Sequence, residues 1–465
     1  MERTGPLSLL LQRGLARSLL HQQASMSLLF SRGAPALAAL LVAVSASAQE
    51  LPPDPAPQLP AVLTLQKALE IFRTRGFDLL VAEANVSSAQ GDASIASGLP
   101  NPSISFSAGK NFRCAQSQDC TVISYSASVS DNSLISNFLT NKRGLRKEVS
   151  EAALEAARKS RDDARRTLEY QLKQVYLQSL LAAAQRDVAR ESRDSNLRTR
   201  ALNEKRFALG AMSEADLATI QVAELESEQA LDTAEQNLRT TKISIGFLLG
   251  FRTLVPDFAL DASELDFAVP GPFAVSTRES LVKDALERRP DLAALGRQIE
   301  RARAGLQLAR RNRFPDIGVG ITWSANGSGD TNISPPNGSI GITVTPPLFY
   351  FQGGEIRKAE ADFVTQQVLR QKAEAQIVAD VETAWAQLTG TKSLVERMQH
   401  TLLQRAQTAR DLIRVQYEKG AASLLDLLNA QRTYSATRAE YAQDLASYWT
   451  AFALLEQATA QELRR

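Results

Sequence analysis

"VISYSASVS", residues 122–130, alternates without a slip: Ile123, Tyr125, Ala127 and Val129 fall on one parity, Ser124, Ser126 and Ser128 on the other. Successive side chains of an extended strand point to opposite faces, so the stretch predicts a strand with one apolar and one small polar face. Three further stretches repeat the pattern. "PSISFSAG" (102–109) sets Ile104, Phe106 and Ala108 against Ser103, Ser105 and Ser107. "DIGVGITW" (316–323) sets Val319, Ile321 and Trp323 against Gly318, Gly320 and Thr322, and "SIGITVT" (339–345) sets Ile340, Ile342 and Val344 against Gly341, Thr343 and Thr345. A soluble sheet laid on helices would show this alternation. So would the strands of a membrane β-barrel, apolar towards lipid and small and polar towards a wet lumen.

The N-terminus favours the barrel. An apolar run from Ala36 to Val44 follows Arg32 and precedes Ala46-Ser47-Ala48. Charge, apolar run and A-x-A read as a secretory signal over 1–48, cleaved after Ala48. The run is too short to cross a bilayer as a helix. A start at Met26 rather than Met1 would give a leader of ordinary length. Residues 49–62 then form an extended, proline-stiffened lead-in. The strands are expected near 102–109, 121–130, 316–324 and 338–346. Four strands cannot close a membrane barrel, so several chains must contribute, and the strands alone do not choose between two, three or four copies.

The rest of the chain predicts long helices and an internal duplication. "GAMSEADLATIQ" (210–221) and "GAASLLDLLNAQ" (420–431) share residues at six of twelve places. "LRKEVSEA" (145–152) answers "IRKAEADF" (356–363), and "LPNPSISFSAG" (99–109) answers "FPDIGVGITW" (314–323). The first repeat is expected over 63–250, a linker over 251–275, the second repeat over 276–460 and a tail over 461–465. Helical pattern without proline runs over roughly 143–209 and 355–419, each about 100 Å long. Val378, Val381, Trp385, Leu388 and Val395 form one apolar seam, and Tyr434, Tyr441, Leu445, Tyr448, Phe452 and Leu455 another. Their seven-residue spacing implies left-handed coiled packing. In each repeated turn, Gly210 or Gly420 supplies the left-handed residue that ends a helix. Ser213 and Ser423 are then expected to cap the next helix, with Asp216 and Asp426 three residues on, as in a capping box.

Charge is balanced, with 53 Lys and Arg against 51 Asp and Glu, so no basic excess points to nucleic acid. Two histidines and two cysteines give no basis for a metal cluster. The sequence carries no phosphate loop, nucleophile elbow or HExxH, and neither an enzyme nor a cofactor is expected. His400, the histidine outside the leader, reads as a solvated helix residue. Cys114 and Cys120 lie between two predicted strands, and exported thiols this close are expected to form a disulfide.

Taken together, these features resemble the TolC family of trimeric outer-membrane channels. The resemblance runs from about Leu63 to about Ala458. Its carriers are "LTLQKALE" (63–70), "LPNPSIS" (99–105), "PPLFYFQGGEIRKAEA" (346–361) and the two turns. It implies a mainly α fold with a small β part: a duplicated coiled-coil helical barrel in the periplasm, plus four membrane strands per protomer in a twelve-stranded trimeric barrel. It also implies a passive efflux duct in the bacterial outer membrane. The duct would contact lipid and be served by an inner-membrane pump, of the resistance-nodulation-division class, through a periplasmic adaptor. "PPLFYFQGGEI" and "TNKRGLRKE" (140–148) look most like the heavy-metal-cation branch; drugs are the other substrate class implied. Protein export by a type I system is an alternative, as is a secreted structural coiled coil, which leaves the strands unexplained.

In the family the two turns are the periplasmic tips, where the tunnel is gated and the adaptor docks. Asp426 would then form an acidic ring, and Tyr417 would bond the aspartate of the other hairpin, here Asp216. Two departures stand out. Asn429 occupies a place often acidic in the family, and Ala422 a place that can hold a gate-locking arginine. Both imply a weaker ring and a looser lock.

The leader reading fixes one measurable end. Mass spectrometry of the purified membrane-embedded protein is expected to find Gln49 first; a chain retaining residues 1–48 would refute the cleavage.

Overall fold

The computed structural model describes residues 59–110, 123–274, 276–327 and 335–463. The leader, the expected cleavage at Gln49, Cys114 and Cys120 lie outside the described residues. The chain opens with strand β1 (Val62–Leu63), then helices α1 (Leu65–Arg75) and α2 (Phe77–Ser97). Strands β2 (Ser103–Lys110) and β3 (Ile123–Asp131) follow, then the short α3 (Leu134–Leu139), the long α4 (Lys142–Ala208) and α5 (Glu214–Leu248). After strand β4 (Ala259–Leu260) the plan repeats: α6 (Arg278–Arg288), α7 (Pro290–Arg311), β5 (Asp316–Gly327), β6 (Asn337–Thr345), α8 (Gly353–Arg397), α9 (Leu403–Glu418) and α10 (Leu424–Thr459). The fold is mainly helical with a small sheet. Among the described residues no helix is long and apolar enough to cross a membrane.

The breaks between elements have local causes. Thr64 caps α1, its hydroxyl accepting from the Lys67 N–H at 3.3 Å. Pro290 opens α7, and the residue before a proline is held out of the helical region; Arg289 accordingly has ψ 123°. The long helices α4 and α8 start from corresponding residues, Asn141 and Gln352, both left-handed at φ 55° and 58°. One difference separates the halves. α4 is unbroken, whereas a π-turn at Met398–Leu402 separates α8 from α9. His400 sits in that turn and is exposed.

The core gathers at mid-height, where α1, α4, α6, α8 and α10 meet around Phe72, Tyr176, Leu281, Val381, Tyr448 and Phe452. The apolar seam of α8 runs through Ile377, Val381, Ala384, Leu388 and Val395, all without exposed surface. Val378, expected in that seam, is 38% exposed. It lies one position, about 100° of helix rotation, off the stripe that Ile377 occupies. The linker joining the halves packs into this core. β4 pairs parallel with β1, and Phe258 and Leu265 are buried. Glu264 accepts from the Leu65 N–H at the start of α1. The Tyr448 hydroxyl donates to the Ala268 carbonyl at 2.9 Å, and burial pushes that phenol up to about 12.

Strands β2-β3-β5-β6 form one antiparallel sheet in that order. Register carries the alternation across all four strands. Ser105, Ser128, Thr322 and Ser339 lie in one row, with Ser103, Ser130, Gly320 and Gly341 in the next on the same face. Serine hydroxyls pair across β2 and β3 at 2.9, 2.8 and 2.8 Å. The other face carries Ile104, Val129, Ile321 and Ile340 in one row, and Phe106, Ala127 and Trp323 in the next. This apolar face is uncovered: Phe106 is 65% and Ile340 78% exposed.

On the membrane-barrel reading of the strands, charge placed on that face meets hydrocarbon. Phe106→Arg is expected to cost roughly 2–4 kcal/mol and impair membrane assembly. Ser105→Arg, one residue away on the small face, is expected mainly to alter conductance. Equal tolerance at both positions in an assembly assay would show that the sheet does not face lipid.

Candidate functional site at the paired hairpin turns

α4 and α9 end in the same way. Gly210 and Gly420 adopt φ 70° and 79°. The Gly210 N–H donates to the Phe207 carbonyl and Ala211 to Arg206, both at 2.9 Å; Gly420 donates to Tyr417 at 3.1 Å and Ala421 to Gln416 at 2.8 Å. These paired bonds are the Schellman closure, which needs a left-handed residue. A Cβ at either glycine would meet no neighbour within 4 Å, so backbone conformation, not space, calls for glycine there.

Each turn then starts the next helix. The Ser423 hydroxyl accepts from the Asp426 N–H at 3.1 Å and donates to Asp426 Oδ2 at 2.7 Å. The Ser423 N–H donates to the same carboxylate oxygen at 3.1 Å, completing the capping box. At the other turn the Ser213 hydroxyl accepts from the Asp216 N–H at 3.1 Å and donates to Asp216 Oδ2 at 2.7 Å. Asp216, Asp426 and Asn429 are all exposed. The Ser423 hydroxyl, followed by the Ser423 backbone, holds the Asp426 carboxyl below its usual value of 3.8.

Tyr417 has a different partner from the one expected. Its hydroxyl donates to Asn203 Oδ1 at 2.5 Å, not to Asp216. Asp216 stands in the first turn of α5 with its carboxylate folded back on Ser213, while Tyr417 is buried against α4. Asn203 is itself held by the Thr199 carbonyl at 2.7 Å. Arg206 completes the junction. Its guanidinium carbon lies 4.8 Å from the centre of the Tyr417 ring, and its Nη2 donates to the carbonyls of Tyr417 and Glu418 at 3.3 Å each. A cation on the last carbonyls of α9 is favoured by the helix dipole. Neither Asn203 nor Arg206 was legible from motif spacing. The signal that marks them is the broken repeat: Tyr417 of one half answers Phe207 of the other, which is exposed.

Above this junction a polar seam joins the two hairpins. Glu191 of α4 pairs with Arg410 of α9 at 3.3 Å and with Arg438 of α10. The Arg410 guanidinium lies 3.8 Å from the centre of the Tyr434 ring. Within the first hairpin, Arg200 grips buried Glu224 with bonds of 2.9 and 2.7 Å.

Comparison with known proteins bears on what such a chain does. A family model described as "Outer membrane efflux protein" matches residues 68–251 and 281–461, one stretch in each half. The cobalt-zinc-cadmium resistance protein CzcC of Cupriavidus metallidurans is 25% identical over 82% of this chain and 85% of its own length. The pyoverdine export outer membrane protein OpmQ of Pseudomonas aeruginosa is 30% identical over 82% of this chain and 81% of its own. Among solved structures, the Campylobacter jejuni CmeC outer membrane channel matches with TM-score 0.70 at 16% identity, over 85% of each chain. The open-state Neisseria gonorrhoeae MtrE outer membrane channel matches with TM-score 0.69 at 18% identity, over 86% of this chain and 90% of that one. At these identities the structural likeness establishes the fold alone.

The capping geometry can be tested by stability. Ser423→Ala is expected to cost about 1 kcal/mol, read as a lower unfolding midpoint in detergent. The lowered Asp426 carboxyl adds stability above its unfolded value and loses it as pH falls through the folded one. Asp426→Asn should therefore lower the midpoint at neutral pH, with the difference closing in acid below pH 3.8. An Asp426→Asn deficit that persisted unchanged in strong acid would rule this linkage out.

Proposed function

The chain belongs to the outer membrane efflux protein family, and from that membership we propose that copies of it close into a passive exit duct. Family membership also places it in the bacterial outer membrane, as a transport protein. The observation that carries the duct is the four-stranded sheet. One face is apolar and uncovered, the other is lined by serine, threonine and glycine, and β2 and β6 each have one unpaired edge. Three copies give a twelve-stranded barrel, with the hairpins of both halves forming a helical tunnel beneath it.

The duct has no means of driving transport itself. An inner-membrane pump, through a periplasmic adaptor that meets the hairpin turns, supplies substrate to it. Relatives named for cobalt-zinc-cadmium resistance and for pyoverdine export differ widely in cargo. Their shared scaffold fits a conduit whose selectivity is set by its partners, with heavy-metal cations or drugs as cargo here and a resistance-nodulation-division pump as the driver.

The turns form the gate. Asp426, repeated around the axis, lines the mouth with carboxylates: Oδ2 caps α10, while Oδ1 takes no hydrogen bond from the described residues. Tyr417, with Asn203 and Arg206, ties the end of α9 to α4 and holds the second hairpin in its resting position. Asp216, Ser213, Gly210 and their counterparts Ser423 and Gly420 keep the turns rigid, and Asn429 softens the acidic ring by adding no second charge.

Planar-bilayer recording tests the proposal. The purified protein is expected to open discrete channels, and absence of any conductance would sink the duct. Asp426→Ala should weaken cation selectivity and block by multivalent cations, since a ring of carboxylates concentrates cations at the entrance. Tyr417→Phe, which removes only the hydroxyl bonded to Asn203, should raise the resting conductance. Unchanged behaviour in both variants would reduce the turns to helix reversals.

A further inference from the structure

The repeated "RK" pair of the long helices has no part in the duct or the gate. It lies where the sheet gives way to helix. Phe138 and Phe349 correspond in the two halves, and each is fully or largely exposed, at 72% and 101%. Nine residues after each comes a lysine, Lys147 and Lys358, preceded by Arg146 and Arg357. Helical phase is the same in both halves, because the residue before each pair, Leu145 or Ile356, is buried. Both pairs are therefore turned outward and are exposed. An exposed aromatic belt with cations just beyond it is the arrangement by which proteins meet a bilayer interface.

The first half adds a cavity of about 350 Å³ between the end of β3 and the start of α4. Its walls include Leu99, Pro100, Leu134 and Phe138, with Arg143 and Lys147 one helical turn apart. Asp131 also lines it. Asp131 sits in register with Val319, and Val319 with Ile342, so the cavity opens on the apolar face of the sheet and not the serine face. The Asp131 carboxylate is turned onto Ser133, which donates to Oδ1 from its N–H at 2.8 Å. Arg143 Nε and Nη2 donate to the Ser97 carbonyl at 3.2 and 2.6 Å, which fixes the guanidinium at the cavity with Nη1 left over. The Lys147 ammonium has only a surface contact, 3.5 Å from Glu151, the kind worth little in water. In the second half, Arg357 and Lys358 make no ion pair among the described residues. Nearby Glu355 takes the Tyr350 hydroxyl at 2.6 Å and Glu360 pairs with Arg310 at 3.0 Å. Glu148 makes no such contact among the described residues.

We propose that this rim binds anionic phospholipid of the periplasmic leaflet, with Arg143 and Lys147 holding a headgroup phosphate at the cavity beneath Phe138, and Arg357 and Lys358 forming a second, shallower seat. The inference rests on the outer-membrane duct reading, since only a membrane-embedded sheet brings the rim to headgroup level. Apolar walls next to paired cations match a phosphodiester joined to acyl chains, and the repetition of the arrangement in both halves multiplies the seats around the assembled ring.

Native mass spectrometry of the full chain tests it. Protein stripped of lipid would be mixed with detergent micelles holding phosphatidylethanolamine and either phosphatidylglycerol or cardiolipin. The wild type should retain the anionic lipids over phosphatidylethanolamine. Removing charge should lower retention by roughly fivefold per residue near the surface, in Lys147→Gln and, separately, in the double variant Arg357→Gln and Lys358→Gln. The double variant keeps the test open should Lys147→Gln disturb the start of α4. Equal retention of both lipid classes, or retention unchanged in both variants, would overturn the proposal. So would displacement of the lipid by millimolar inorganic phosphate, which would mark a simple anion site. Bilayer recording of the same preparations separates the two readings: channels without lipid preference sink only the rim, and lipid preference without channels sinks only the duct.

Discussion

A strand in hydrocarbon can leave no backbone N–H or C=O unpaired, because nothing there will bond it. Among the described residues β2 pairs only with β3, and β6 only with β5, so the sheet ends in two open edges. In the proposed duct, further copies of the same sheet satisfy them, and closure then dictates the rest. The inward rows must be small and wet, which the serine, threonine and glycine rows provide. The ring must also continue below the sheet. Each strand pair leads into a long helix that returns through a shorter one, so each half of the chain owes the tunnel one hairpin. The duplicated Gly-Ala turn follows from that topology: two strand pairs per chain require two reversals at the far end.

Duplication does not make the halves equal, and the differences gather at one side of the lower hairpins. α4 runs unbroken for 67 residues, while its counterpart contains the π-turn at Met398–Leu402. Tyr417 is buried on Asn203, while its counterpart Phe207 is exposed. A tube of alternating hairpins has two kinds of junction, one inside a chain and one between chains. The Tyr417, Arg206 and Glu191 contacts all belong to the first kind. In the proposed gate, the diverged second hairpin is the element that moves against the first.

Much of this was legible in the sequence because its causes are local. Strand faces follow from parity alone, and the observed register preserves that parity across three pairings. The helix reversals were readable, since a glycine that closes one helix and a serine that opens the next act within a few residues; the full capping box formed at Ser423, while at Ser213 the backbone N–H does not reach Asp216. The core seam was readable to within one position, and the slip from Ile377 to Val378 came from choosing between adjacent residues of equal hydrophobicity. What escaped was relational. Asn203 and Arg206 are ordinary polar residues on a charged helix, and only the approach of α9, more than two hundred residues later in the chain, gives them a role. The stretch at 251–275 reads only as a linker, whereas Phe258 and Leu265 anchor it through contacts that leave no periodic trace. The π-turn has no composition signature at all.

In the proposed gate, the carboxylate at the second turn serves structure and transport together. Like charges brought around a narrow mouth disfavour ionisation, while hydrogen-bond donors favour it. The opposing influences differ in range. Donors from Ser423 act at 2.7 and 3.1 Å within each copy, whereas repulsion between copies crosses a water-filled opening where salt screens it over about 10 Å. Within one chain the local donors hold the Asp426 carboxyl below its usual value. Capping thus does more than end a helix. The two bonds from Ser423 pin Oδ2 and favour its ionised form. In the proposed gate, a charge so held acts on passing cations without the reorganisation that a free side chain would need, and the stability of the turn and the field at the entrance share those bonds.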